Sequence, residues 1–163
     1  MKSILFFLGT LFVLSSCAKK ENVKENIKDQ VLYYIKFPDT IYKGKSVNGE
    51  IYYSSHFEKL TKNFIKKDTI RRLKFYMNLT DNLDYDNEYL LDTDNYFSAT
   101  DYKTIPFYDV SFKETGTFYI DGIILDQLYC NTFKKDEEGE FIVNMSEIKF
   151  RINKKIVVID SIK

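Results

Sequence analysis

The sequence predicts an all-β domain, an antiparallel sandwich or barrel. Three observations carry that expectation. Apolar and polar residues alternate with a period of two over several separate segments. Gly, Pro, Asn and Asp punctuate the intervals between them. No long stretch repeats every 3.6 residues, so helices cannot supply the core.

Taken in chain order, residues 31–37 form an apolar run suited to a strand and end at Pro38-Asp39. Lys43-Gly44 marks a turn. Val47, Gly49, Ile51 and Tyr53 then alternate with Asn48, Glu50 and Tyr52, although Asn48-Gly49 within that run is itself a turn signal. Residues 57–65 are the one helical candidate. The clearest strand is 72–79, where Leu73, Phe75, Met77 and Leu79 alternate with Arg72, Lys74, Tyr76 and Asn78. Residues 80–103 read as a long acidic connection between sheets. Residues 105–112 suit an edge strand, because Pro106 cannot donate to a ladder on its N–H side. Phe118, Ile120, Gly122 and Ile124 form a further inward set, Ile148, Phe150 and Ile152 another, and the run 156–159 closes the domain after a turn at Glu138-Gly139.

The 163 residues balance 24 Lys plus Arg against 24 Asp plus Glu. A net charge of zero gives no basic field for nucleic acid. A hydrophobic content of 44% excludes a wholly disordered chain. Aromatic residues reach 17%, but Lys, Asn and Ile are abundant too, a bias that AT-rich codons produce. Aromatic abundance is therefore not a binding signal. The chain has no Gly-x-Ser-x-Gly turn, no His-Glu-x-x-His helix and no Gly-rich phosphate loop. His56, the single imidazole, follows Ser54 and Ser55, and neighbours along a loop do not make a catalytic triad. No cofactor is expected.

At the N-terminus, Lys2 precedes an apolar run over residues 4–14 that is too short to span a ~30 Å hydrocarbon core. The run ends in Leu14-Ser15-Ser16-Cys17. This pattern resembles the signal peptide and lipobox of bacterial lipoproteins. The resemblance implies cleavage after residue 16 and diacylglycerol on the Cys17 thiol. It also implies a mature protein held by lipid on the outer membrane, facing the periplasm or the cell surface. Two or three acyl chains, at ~0.8 kcal/mol per buried CH₂, would hold it for its lifetime. Residues 17–30 are polar and of alternating charge and read as a tether, leaving 31–163 as one domain. With Cys17 modified, Cys130 is left without a disulfide partner and reads as a small apolar core residue.

Two segments narrow the β class. Glu114-Thr115-Gly116-Thr117-Phe118-Tyr119-Ile120 resembles the corner entering the sixth strand of immunoglobulin-like domains, with Phe118 where that family has its corner Tyr and Ile120 where it has Cys. Residues 45–53 resemble the second strand of such domains. The resemblance implies a single antiparallel immunoglobulin-like sandwich. An eight-stranded lipocalin-like barrel shows the same alternation and stays open as the alternative.

Chemistry concentrates between residues 80 and 103, where acidic residues lie among Tyr85, Tyr89, Tyr96 and Tyr102. Tyr and Asn on loops at one end of a sandwich suit recognition, as in antibody loops. Asp84, Asp86 and Glu88 are set two apart as in a calcium loop, but position six is Tyr89 rather than Gly and position twelve is Asn95 rather than Glu. The expected function is thus a membrane-anchored, non-catalytic binding or structural module for a protein or glycan partner. The alternatives are a small envelope hydrolase using loop carboxylates, or an immunity-type inhibitor whose acidic loops enter a toxin's active site. Cells fed labelled palmitate should incorporate it into the chain, and Cys17→Ser should abolish the label and move the protein into the aqueous phase.

Overall fold

The computed structural model describes residues 31–63 and 69–161. The signal-like run, Cys17 and the tether lie outside the described residues. The chain builds β1 (Leu32–Lys36), β2 (Thr40–Tyr42), β3 (Val47–Ser54), α1 (His56–Asn63), β4 (Thr69–Thr80), α2 (Asn87–Leu91), β5 (Tyr96–Ser98), β6 (Thr104–Val110), β7 (Gly116–Lys135) and β8 (Phe141–Ile159). The protein is mostly β, with two sheets in a sandwich-like arrangement. Sheet A has the order β1-β3-β6 and sheet B the order β2-β8-β7-β4-β5. Neighbours are antiparallel except for β2 and β8. Among the described residues no helix is long and apolar enough to cross a membrane.

The period-two pattern maps directly onto burial. Ile51 and Tyr53 of β3 face Leu73, Phe75 and Met77 of β4 and Ile120, Ile124, Ile152 and Ile156 of β7 and β8 across one core. Phe107 of β6 is its aromatic centre, with ring centroids 5.6 Å from Phe37, 6.1 Å from Phe75 and 6.3 Å from Phe97. A smaller cluster of Phe57, Leu128 and Ile148 lies under α1. Pro106 sits in β6, an edge strand of sheet A, as its missing donor requires.

Three local expectations change. Asn48-Gly49 is not a turn: it lies inside β3, where the pairing with β6 shifts between Val47 and Gly49. Glycine is needed there because the Phe107 ring occupies the space that a Cβ would take. The short segments expected at 148–152 and 156–159 are parts of one 19-residue strand, β8, which β7 pairs along most of its length. The acidic connection 80–103 contains α2 and β5, because Asp86 caps a helical turn whose Leu90 is buried.

Gly122 is a second position without room for a side chain, since a Cβ would meet the Tyr76 carbonyl and come within 2.6 Å of the Phe75 ring. Gly122→Ala should destabilise the domain by about 2–3 kcal/mol in urea denaturation. Exposed Thr117→Ala, on the same strand, should stay within about 0.5 kcal/mol of the parent.

Candidate functional site

β7 carries two fully buried carboxylates, Asp121 and Asp126, at positions of opposite parity and therefore on opposite faces of sheet B. Each is held by one arginine. On the core side, Arg71 of β4 donates from Nε and Nη2 to the two oxygens of Asp126, both at 2.7 Å. Its remaining donors reach Ser55 Oγ at 3.2 Å and the Tyr102 carbonyl at 3.1 Å. Ser55 Oγ donates to Asp126 at 2.6 Å and accepts from the Phe57 N–H, so it also caps the start of α1. The Tyr53 hydroxyl lies beside this group as a buried oxygen without a hydrogen bond. Burial, then the nearby Asp126 charge, pushes its pKa well above the ordinary 10.0.

On the outer side, Arg151 grips Asp121 with two bonds of 2.7 and 3.1 Å. It donates as well to the carbonyls of Tyr85 at 2.7 Å and Leu83 at 3.0 Å. The segment rich in Asp and Tyr is thus clamped to the sheet by its backbone, with α2 packed on β4 and β7.

This clamping separates the four tyrosines singled out above. Tyr85 and Tyr89 stack on each other with centroids 4.6 Å apart. Tyr96 packs on Tyr76, under Lys74. Tyr102 stands in the corner between β5 and β6, where its carbonyl serves Arg71. The carboxylates of Asp84, Asp86 and Glu88 do not converge either. Asp86 Oδ1 accepts the Tyr89 N–H at 2.8 Å, and no group of three metal-ligating side chains occurs among the described residues. His56 begins α1, edge-on to Phe57, while the hydroxyl of Ser55 is engaged with Asp126. Cys130 is half-buried against the cluster under α1.

A different set of aromatics comes together on the solvent face of sheet A. The register Tyr34↔Tyr52 and Lys36↔Glu50 places these side chains in adjacent rows, and the β3–β6 pairing brings Pro106 opposite Glu50. Tyr34 and Tyr52 stack at 6.3 Å. Tyr34, Tyr52 and Tyr108 are 63%, 41% and 50% exposed. Glu50 accepts from Tyr52 Oη at 2.7 Å and Lys36 Nζ at 3.1 Å, and these two bonds, the tyrosine's first, lower its pKa. Tyr34, Lys36, Asn48, Glu50, Pro106 and Tyr108 line an open groove of about 520 Å³. The other displaced carboxylates, Asp101 and Glu147, are also shifted downward, by backbone N–H groups of Lys103 and Thr104 and by Gln127 and Lys149 respectively.

Sequence reasoning missed both the groove and the arginine pairs. Arg71 and Asp126 each continue the inward parity of a strand, just before residues 72–79 and two positions beyond Ile124, and that parity is the signal that could have found a buried pair. The groove had no such signal, because its residues meet only through cross-strand register.

The chain matches no protein-family model, no curated protein and no solved structure.

Arg71→Met should cost about 3–5 kcal/mol by stranding a buried carboxylate, and a second change, Asp126→Leu, should recover most of that loss in a double-mutant cycle. The neutral Tyr53 phenol is favoured in the fold, whereas the unfolded chain ionises it above pH 10 or so. Stability should therefore be complete below that pH and fall as pH rises through it, and Tyr53→Phe should flatten this slope.

Proposed function

We propose that this chain is a lipid-anchored envelope protein whose domain is a non-catalytic glycan-binding module, with the ligand lying across the solvent face of sheet A. The observation that carries the reading is that exposed Tyr34 and Tyr108 line one groove with a Lys36–Glu50 pair, with Tyr52 stacked on Tyr34 beside it. Flat rings offer stacking surfaces to the C–H faces of sugars, while a carboxylate and an ammonium group bond their hydroxyls. Tyrosine suits such a surface because it presents a large rigid ring with little rotamer entropy to lose. The three described carboxylates with a displaced pKa, Glu50, Asp101 and Glu147, are all shifted downward, the opposite of what a general acid needs.

The anchor rests on the Leu14-Ser15-Ser16-Cys17 pattern, with Cys17 as the lipid acceptor and the outer membrane as its site. The finer fold assignment is an immunoglobulin-like sandwich. It is supported by the strand order: β1-β3-β6 runs as A-B-E of that fold, and β8-β7-β4-β5 as G-F-C-C′, with β2 added beside β8. The two segments that resemble the family fall on β3 and β7, the second and sixth strands of this scheme.

The mature chain in detergent should bind soluble peptidoglycan fragments or envelope polysaccharide oligomers. Tyrosine fluorescence can report binding, since the chain has no Trp. Tyr34→Ala and Tyr108→Ala should each weaken binding about tenfold, with Tyr85→Ala unchanged. Absence of binding to every glycan, alongside retention of one envelope protein, would replace this reading with a protein partner.

A further inference from the structure

Among the described residues, the outermost strands of the two sheets are short or carry proline. β1 has five residues, β2 and β5 have three each, and β6 contains Pro106. Short strands and proline are the usual protection of an exposed edge. β8 differs. It is 19 residues long, and β2 pairs only with Val157, Val158 and Ile159. From Phe141 to Lys155, no other described strand lies on the side of β8 away from β7.

The direction of its backbone groups follows from the bonds at the covered end. The Val157 N–H donates to the Asp39 carbonyl, and the Ile159 carbonyl accepts from the Lys43 N–H, so odd-numbered residues face this edge. The β7–β8 register is unbroken from Val143 to Val158, and the same alternation therefore holds along the open stretch. Alternate residues from Val143 to Lys155 thus offer N–H and C=O to an incoming strand. Exposed Phe141, Ile142, Val143 and Met145 flank them.

We propose that the occupant of this edge is β8 of a second copy, paired antiparallel about a two-fold axis at Ile148. Charge selects both the partner and the register. With the axis at Ile148, Glu147 faces the partner's Lys149, and Lys149 faces the partner's Glu147. Met145 faces the partner's Arg151 and Phe141 faces the partner's Lys155, so no like charges are opposed. A slip by two residues, the smallest that keeps the hydrogen-bonding parity, sets Glu147 against the partner's Glu147 in one direction and Lys149 against the partner's Lys149 in the other. Like charges directly opposite each other destabilise a strand pair. The pairing ends on both sides at Lys155, where β2 takes over. It runs for about 50 Å at ~3.4 Å per residue, and the contact is isologous, as a closed dimer requires.

The full chain in detergent should show a concentration-dependent dimer by light scattering. The Cys17→Ser form should behave alike, which excludes a shared micelle as the cause. Glu147→Lys should weaken the dimer at least about tenfold, and adding Lys149→Glu should restore it. Asn153→Pro removes a donor that faces the open edge rather than β7, and should give a monomer with an unchanged circular-dichroism spectrum. A chain that is monomeric at every concentration overturns the proposal, as does a dimer indifferent to these substitutions. An edge filled by another protein's strand, with no self-association, overturns it equally.

Discussion

The buried Arg71–Asp126 pair is the constraint on which the rest of the structure depends. Both side chains are wholly removed from water, and the desolvation cost is severe unless their hydrogen-bonding groups are met. They are met by groups from separate parts of the chain. Ser55 ties the pair to the start of α1, and the Tyr102 carbonyl ties it to the corner where the chain passes from sheet B to sheet A. One ion pair thus coordinates the β4–β7 alignment, the entry to the helix and the crossing between sheets. The Tyr53 hydroxyl is the imperfection in this arrangement, a buried polar atom that the cluster surrounds without bonding.

β7 extends the same logic to the other face of sheet B. Asp121 and Asp126 are an odd number of residues apart, so the alternation of a strand sends them to opposite sides. Arg151 holds the outer one and uses its remaining donors on the Leu83 and Tyr85 carbonyls. The segment that looks most like a recognition loop by composition is therefore secured through its main chain as a cover for the sheet. Tyr89, Tyr96 and Tyr102 of that cover remain exposed, but on sheet A exposed tyrosines share a groove with an ion pair.

The two surfaces proposed for binding do not compete. The tyrosine groove lies on sheet A, formed by side chains of β1, β3 and β6. The open edge belongs to β8 of sheet B and acts through the backbone. A paired molecule would present two grooves related by a two-fold axis, so that one extended polymer could engage both. Binding at linked sites gains from effective concentration without any new contact.

Alternation alone located β3, β4 and the inward faces of β7 and β8, because a pleated strand must send its apolar residues to one side. Pro106 marked an edge for an equally local reason, a missing donor. The resemblance to a lipobox at residues 14–17 is a linear signal that needs no fold to be read. Gly49 shows where such reasoning fails, since its neighbour Asn48 makes it look like a turn until Phe107 arrives from β6 to claim the space. Arg71 and Asp126, 55 positions apart, could be suspected one by one but not joined. The tyrosine groove and the bare edge of β8 depend on which strands pair and on where pairing stops. Those choices belong to tertiary structure, because they are made by core packing and ladder register between segments far apart in the chain.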